Sequence, residues 1–150
     1  MIRQAREEDI FRIAEIVVFS KRVNYFPIFG DEWYSFSEMQ VVTAAEHYRE
    51  KLSELYVFCE NGIIKGMIRI RGEEICELYT EYMLRNQGIG SALIAHAKEK
   101  GCSFLWALEK NTAAQRFYAR HGFFPSGEKK LEEGTTEYLI KLVKKEGLSL

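Results

Sequence analysis

The sequence predicts an α+β fold in which helices pack on one central mixed sheet. The middle of the chain alternates between apolar and polar residues and carries the hairpin signal Asn61-Gly62, which predicts antiparallel strands. The flanking segments repeat apolar residues at i, i+3 and i+4, which predicts helices. The chain has 150 residues and neither a linker nor an internal repeat, so we expect a single domain, 1–150.

The N-terminal third is predicted to contain a short strand, two helices and a loop between them. Residues 1–5 form the strand, and apolar residues at helical spacing predict a helix from about Glu7 to Lys21. The aromatic-rich segment 23–36 is interrupted by a proline and a glycine, which predicts a loop. A second helix is expected to open near Ser37.

The middle of the chain is predicted to form three strands, at about 55–60, 63–71 and 74–80. Turns are expected at Asn61-Gly62 and at Gly72. Strict alternation in the second strand would place Ile64, Gly66, Ile68 and Ile70 on one face.

The last third is predicted to contain two helices and three strands. One helix starts after Gly88, and the continuous apolar run 103–108 predicts a buried strand. Asn111 is placed to cap the next helix, and two strands follow at about 123–129 and 136–143. The predicted order is β-α-α-β-β-β-α-β-α-β-β.

Composition excludes several function classes. A formal net charge of -1 gives no general reason to expect nucleic acid or an anionic membrane as a partner. The apolar runs are too short to span a bilayer, and the charged N-terminus does not resemble a signal peptide. Three cysteines without a CxxC pair and three scattered histidines predict neither disulfides nor a metal site. We therefore expect a cytoplasmic protein without a metal.

The run Arg85-Asn86-Gln87-Gly88-Ile89-Gly90 opens the third helix without a Ser, Thr or Asp cap. The start of a helix has unpaired N–H groups and a partial positive charge, so an anion can cap it. Glycines allow close backbone approach, and Arg85 adds a positive charge. The run predicts a pyrophosphate-binding turn, with an unoccupied glycine-rich turn as the alternative. It matches neither the dinucleotide fingerprint nor a Walker loop.

The spacing Arg85-x-x-Gly88-x-Gly90 resembles the R/Q-x-x-G-x-G/A signature of the GNAT superfamily of acyl-CoA-dependent N-acetyltransferases. Residues 73–90 are similar to that family's fourth strand and pyrophosphate loop, and residues 105–124 to its fifth strand and following helix. The resemblance implies a GNAT fold, with a mostly antiparallel sheet whose fourth and fifth strands splay apart. Thr80 and Tyr82 stand where the family often has valine and proline, so the strand end is expected to differ.

The resemblance implies an N-acetyltransferase that moves the acetyl group of acetyl-CoA, its co-substrate, to a primary amine of a small molecule or peptide. The amine would attack directly in a ternary complex. Two alternatives remain open. One is a non-catalytic acyl-CoA-binding or sensor module of the same fold. The other is a phosphate-binding protein unrelated to acyl transfer.

The resemblance also assigns residues to the coenzyme. The loop N–H groups would hold the pyrophosphate, and the fourth-strand backbone would bind pantetheine and stabilise an oxyanion. Asn111 matches a pantetheine-binding asparagine, although a plain helix cap is the alternative. Tyr118 matches a tyrosine near the sulfur that protonates the thiolate, although a core aromatic is the alternative. The expected coenzyme contacts are Leu78, Tyr79, Thr80, Arg85, Asn86, Gln87, Gly88, Ile89, Gly90, Ser91, Asn111 and Tyr118.

The attacking amine must lose a proton, so a base is expected. Glu77 is the first candidate, because alternation places Ile75, Glu77 and Tyr79 on one face and the family often has an acid there. Glu74 is the second candidate. A surface ion pair is an equal alternative for each.

The acceptor site is assigned to the first two helices and their connection. The expected substrate contacts are Tyr25, Phe26, Asp31, Glu32 and Trp33. Carboxylates beside aromatic rings attract ammonium groups, which predicts a cationic amine acceptor. An aromatic segment packed on the core, or forming a homodimer contact, is the alternative.

Overall fold

A computed structural model describes residues 1–145 and places seven strands in one sheet. The elements are β1 Ile2–Gln4, α1 Ile10–Phe29, α2 Val41–Arg49, β2 Leu55–Glu60, β3 Ile63–Arg71, β4 Glu74–Thr80, α3 Ile89–Glu99, β5 Phe104–Leu108, α4 Thr112–Arg120, β6 Phe123–Leu131 and β7 Tyr138–Lys144. The predicted element order is confirmed. Within these residues the sheet order is β1-β2-β3-β4-β5-β7-β6, and only the β4–β5 pair is parallel.

Two apolar cores lie on opposite faces of the sheet. Ile13 and Val17 of α1 pack with Met67 of β3 in the first core. Leu93 of α3 packs with Ile68 of β3 in the second core. Because neighbouring residues of β3 point to opposite faces, this strand supplies both cores. The result is a layered α/β/α arrangement, as the resemblance implied.

The predicted loop at 23–36 is wrong. Helix α1 continues through Pro27 to Phe29 and ends at Gly30, which has a left-handed φ of 65°. Pro27 has no N–H group to donate to the carbonyl oxygen of Val23, so α1 lacks this hydrogen bond near its C-terminal end. Glycine adopts the left-handed conformation of a helix C-terminus without a steric cost.

The connection after α1 is also helical, with a π-helical turn at Tyr34–Glu38. Helix α2 therefore begins at Val41 rather than near Ser37. Arg22 of α1 holds this turn, because its guanidinium donates to the carbonyl oxygens of Ser35 at 3.0 Å and Met39 at 3.1 Å. The connection is thereby fixed against α1.

A bulge interrupts the alternation of β3. Its pairing with β2 passes from Gly66 to Ile64 and skips Lys65. A bulge adds one residue to one strand and so reverses which face the following residues occupy. Ile64 consequently packs in the first core, whereas Ile68 packs in the second. The prediction that these two isoleucines share a face is wrong.

A second bulge reverses the faces of β4. Its pairing with β3 passes from Glu77 to Ile75 and skips Cys76. Ile75 is buried in the second core, whereas Tyr79 packs against the first. The prediction that Ile75 shares a face with Glu77 and Tyr79 is therefore wrong, because periodicity alone does not reveal an inserted residue.

Strands β4 and β5 separate soon after they meet. They pair only at Glu74–Phe104 and Ile75–Leu105, while β5 pairs with β7 along all five of its residues. The predicted splay of the fourth and fifth strands is confirmed. It leaves the second half of β4 without a neighbour on one side.

Three further features of the described part of the chain concern membrane spans, metal sites and thiols. Within residues 1–145, no helix has the length and hydropathy needed to cross a bilayer. The same residues contain no group of three or more histidine, cysteine or acidic side chains placed to hold a metal ion. Cys59, Cys76 and Cys102 are free thiols.

Candidate active site

A cavity of about 860 Å³ opens where β4 and β5 separate. Its walls come from the splayed strands, from the end of α1 with the connection to α2, and from the β6–β7 turn. A cavity of this size is in the range of pockets that bind small molecules and cofactors. Two walls therefore come from parts of the chain outside the predicted coenzyme motifs.

The turn before α3 has the geometry of an anion site. Asn86 and Gly88 adopt left-handed φ angles of 68° and 79°, and no side chain caps the helix. The backbone N–H groups from Asn86 to Ser91 donate to no acceptor within residues 1–145. A turn with several free N–H groups and a helix start behind it attracts a phosphate.

Arg85 lies beside this turn. Its guanidinium stacks 3.9 Å from the centroid of the Tyr82 ring and donates to the Tyr82 carbonyl oxygen at 2.9 Å. The side chain is thus held to the preceding turn, and its positive charge stays close to the predicted pyrophosphate position. Tyr82, the residue that departs from the family pattern, provides this support.

Gly90 has a different function from Gly88. A Cβ atom at position 90 would lie 3.1 Å from Cζ of Phe117, whereas a Cβ atom at position 88 would meet no atom within 4 Å. Gly90 therefore allows α3 to pack closely on α4, while Gly88 provides the left-handed turn.

The free side of β4 offers backbone groups to a ligand. Leu78, Tyr79 and Thr80 pair with β3 on one side and have no strand on the other within residues 1–145. An extended, peptide-like ligand can add to such an edge through main-chain hydrogen bonds. Of these predicted pantetheine contacts, Leu78 and Tyr79 line the cavity and Thr80 does not.

Asn111 and Tyr118 of the α4 region both line the cavity. The Oδ1 atom of Asn111 accepts a hydrogen bond from the N–H of Ala114 at 3.1 Å, so the predicted cap is confirmed. Its side-chain NH2 group has no acceptor in the described part of the chain and is free for a ligand. The Asn111 side chain can therefore cap α4 with its oxygen and bind a ligand with its NH2 group.

The Tyr118 hydroxyl has no hydrogen-bond partner within the described residues. Its ring packs edge-on against the rings of Phe117 and Phe123, at centroid distances of 5.2 and 6.4 Å. Burial raises the pKa of Tyr118 well above its ordinary value. The phenol therefore stays protonated at neutral pH and can donate a proton or a hydrogen bond into the cavity.

Glu77 lines the cavity but is held by neighbouring side chains. Its Oε1 atom accepts from Nε of Arg69 at 2.9 Å, and the Tyr48 hydroxyl donates to its Oε2 atom. Only 13% of the Glu77 side chain is exposed. Glu74 also lines the cavity and pairs with Arg71 at 3.3 Å. Both candidate bases are therefore ion-paired.

The structure brings two of the five predicted acceptor residues into the cavity. Tyr25 and Asp31 line it, and the Tyr25 hydroxyl lies 3.1 Å from the Tyr79 hydroxyl. Phe26, Glu32 and Trp33 do not line it. Phe26 lies on α1 and its ring packs on the ring of Phe36 at a centroid distance of 5.1 Å, whereas Trp33 is 68% exposed.

Sequence reasoning missed several cavity residues that carry charge or titrate, and His47 and Glu132 are two of them. His47 comes from the end of α2, and Glu132 comes from the β6–β7 turn. Burial lowers the pKa of His47, so its imidazole is largely neutral at neutral pH. Neither residue lies in a motif, and only the tertiary fold brings them to β4.

Several solved structures are similar to this chain. Apo YjaB from Escherichia coli has a TM-score of 0.74 and 22% identity over 95% of each chain. An N-acetyltransferase from Staphylococcus aureus Mu50 has a TM-score of 0.74 and 20% identity, covering 95% of this chain and 99% of that one. The PaiA N-acetyltransferase from Thermoplasma acidophilum, in complex with coenzyme A, has a TM-score of 0.66 and 18% identity, covering 95% and 98%. At these identities the similarity shows the fold.

A search of curated proteins found no significant sequence match. The family model described as an acetyltransferase (GNAT) domain matches residues 51–125, which is half of the chain and contains β4, the turn before α3, Asn111 and Tyr118. With the splayed strands and the uncapped start of α3, this match establishes that the chain belongs to the GNAT acetyltransferase family.

Proposed function

We propose that this protein transfers the acetyl group of acetyl-CoA to a primary amine of a small molecule or peptide, by direct attack in a ternary complex. One observation carries the proposal. The cavity between β4 and β5 brings together a free strand edge, the hydroxyl of Tyr118 and walls from the end of α1, the α1–α2 connection and the β6–β7 turn. Family membership supports acetyl transfer in general, and the space beside the walls from α1, the connection and the β6–β7 turn leaves room for an acceptor.

Acetyl-CoA fits the groups that have no partner within residues 1–145. The N–H groups from Asn86 to Ser91 suit the pyrophosphate, and the backbone from Leu78 to Thr80 suits the amide-bearing pantetheine arm. The free NH2 group of Asn111 suits a pantetheine carbonyl. The coenzyme A in the similar PaiA structure supports this assignment.

The reaction proceeds by addition and elimination. The neutral amine nitrogen forms a bond to the thioester carbonyl carbon, and a β4 backbone N–H stabilises the resulting oxyanion. The carbon–sulfur bond then breaks, and the leaving thiolate takes the hydroxyl proton of Tyr118. The nitrogen, which is positively charged after its attack, loses one proton to solvent, and solvent returns one proton to Tyr118. The amide and free coenzyme A are the products.

Glu77 is the proposed acceptor of the amine proton, directly or through water. It lies on the cavity wall, although Arg69 and Tyr48 already donate to it. His47 on the same wall is the competing base, because it is largely neutral at neutral pH. We expect Glu77→Gln to flatten the acidic limb of the rate–pH profile and His47→Gln to preserve it. The reverse result assigns the base to His47.

The direct test is the release of free thiol from acetyl-CoA during incubation with a panel of primary amines. We expect thiol release that depends on the amine and is unaffected by a metal chelator. Tight coenzyme A binding without turnover across the panel would favour the non-catalytic module. Thermal stabilisation by coenzyme A no larger than that by inorganic pyrophosphate would favour a phosphate-binding protein.

A further inference from the structure

We propose that the acceptor amine carries a second cationic group and that Glu132 recognises this group. The inference rests on the proposed acetyl transfer and adds the chemical class of the acceptor. Glu132 begins the turn between β6 and β7, far in sequence from the α1–α2 connection. Its place in the cavity wall follows from the fold and not from a motif.

The backbone of the β6–β7 turn fixes Glu132. Its N–H donates to the Glu137 carbonyl oxygen at 2.8 Å. Its own carbonyl oxygen accepts from the N–H of Thr135 at 3.1 Å and from the Thr135 hydroxyl at 2.9 Å. A turn closed by three hydrogen bonds fixes the backbone of Glu132 before a ligand arrives, so less backbone freedom is lost on binding.

The carboxylate of Glu132 has no cation beside it within residues 1–145. Its neighbours on the same hairpin are paired differently: Glu137 pairs with Lys110 at 2.9 Å, and Glu128 pairs with Lys141 at 3.4 Å. Glu132 is half-buried and lines the cavity. A partly desolvated carboxylate without a counter-ion is stabilised by a ligand cation.

Tyr25 lines the same cavity as Glu132. Burial, and after it the charges of Glu77 and Glu132, raise the pKa of Tyr25, while the hydrogen bond with Tyr79 lowers it. The hydroxyl groups of Tyr25 and Tyr79 share one hydrogen bond of 3.1 Å, and either can be the donor. The hydroxyl that accepts keeps a hydrogen without an acceptor in the described part of the chain. Aromatic rings and a free hydroxyl thus line the cavity that Glu132 also lines.

The charge balance of the cavity favours cations. Carboxylate side chains among the lining residues outnumber lysine and arginine side chains by six to three. Of the three cations, Arg69 is already paired with Glu54 and Glu77. Lys130 lies 4.2 Å from the centroid of the Trp106 ring. The third cation, Lys21, lies on α1.

The ligand cation at Glu132 is not the reacting nitrogen. A nitrogen that attacks the thioester must be neutral, and a carboxylate paired with its ammonium form would oppose the loss of the proton. Glu132 therefore stabilises a cation that does not react. An aliphatic diamine, or a similar amine with one further ammonium group, meets both requirements.

The test compares an aliphatic diamine with the monoamine of the same chain length, using the full chain and saturating acetyl-CoA. We expect Glu132→Gln to lower kcat/KM for the diamine about tenfold, as for the loss of a charged hydrogen bond, and to change kcat/KM for the monoamine less than about twofold. The preference of the wild type for the diamine over the monoamine should weaken as salt is added. Glu128→Gln is the matched control, because this residue lies on the same hairpin and outside the cavity lining.

Two outcomes overturn the inference. If both amines are acetylated and Glu132→Gln leaves their ratio unchanged, the acceptor class is wrong while the proposed acetyl transfer stands. If no amine is acetylated, the proposed transfer fails, and calorimetric binding of both amines to the coenzyme A complex decides the inference separately. Equal diamine affinity in the wild type and Glu132→Gln would then overturn it.

Discussion

The two sides of the proposed site are built in different ways. The proposed coenzyme side consists mainly of backbone groups, from the free edge of β4 and from the turn at 85–91, whose residues do not line the cavity. The proposed acceptor side consists of side chains from α1, α2 and the β6–β7 turn, such as Tyr25, His47 and Glu132. One side depends on a short local conformation, and the other depends on three distant segments meeting.

The difference assigns coenzyme binding to one side of the site and selectivity for the acceptor to the other. Backbone N–H groups bind any phosphate in the same way, provided that the turn keeps its left-handed residues. Side chains on the acceptor side can change without disturbing that turn. Substitutions on the two sides should therefore alter different kinetic constants, and this expectation can be tested directly.

The largest effect is expected from Gly88→Val on the coenzyme side. Gly88 has a φ of 79°, which a β-branched residue adopts only with strain, and the new side chain would extend into the space before the free N–H groups. We expect the KM for acetyl-CoA to rise about 100-fold through the loss of charge-assisted hydrogen bonds. Steady-state kinetics with varied coenzyme and a fixed amine measures it.

Gly62→Val is the matched control. Gly62 has a φ of 78° in the β2–β3 hairpin, and a Cβ atom there also meets no atom within 4 Å. Both variants impose similar backbone strain, so thermal unfolding should shift comparably. If the KM for acetyl-CoA rises similarly in both variants, backbone strain explains the rise and the turn at Gly88 is not an anion site.

The next largest effect is expected from Tyr118→Phe, where the two sides meet. The Tyr118 hydroxyl makes no internal hydrogen bond in the described chain, so its removal should leave the melting temperature unchanged. If the phenol protonates the leaving thiolate, kcat should fall by about 30-fold, with little change in either KM. Because burial raises the pKa of Tyr118, wild-type turnover should not decline near the ordinary pKa of tyrosine. An unchanged kcat would show that the thiolate leaves without this donor.

Local signals predicted most of the fold. The strands at 55–60, 63–71 and 74–80 were predicted correctly, because Asn61-Gly62 and Gly72 mark their turns and all three adopt positive φ. The segment 23–36 was not, because Pro27 and Gly30 were interpreted as interruptions of a loop. In the structure they lie in and just after the last turn of α1, and composition does not distinguish these two cases.

The features of the candidate site that depend on residues close in sequence could be predicted, and the others could not. The uncapped turn at Gly88 and the cap at Asn111 depend on neighbouring residues and could be predicted. The pairing of Glu77 with Arg69 and Tyr48 depends on the bulge at Cys76 and on the packing of α2. Such contacts join residues distant in sequence, and periodicity contains no information about them.

The smallest effects are expected at Asn111, where one side chain serves both the fold and the proposed coenzyme site. Asn111→Asp keeps an oxygen to accept from the N–H of Ala114 and favours the start of α4, but it removes the NH2 donor. Asn111→Ala removes both. We expect the alanine variant to lose about 1 kcal/mol of unfolding free energy and the aspartate variant to lose almost none. Denaturant unfolding measures this difference.

The KM for acetyl-CoA should distinguish the two functions of Asn111. If its NH2 group donates to pantetheine, both variants should raise this KM by about fivefold, the effect of one neutral hydrogen bond. If Asn111 only caps α4, the aspartate variant should keep the wild-type KM. That result would remove the Asn111 amide from the proposed pantetheine contacts, and pantetheine would then bind through the backbone groups of β4 alone.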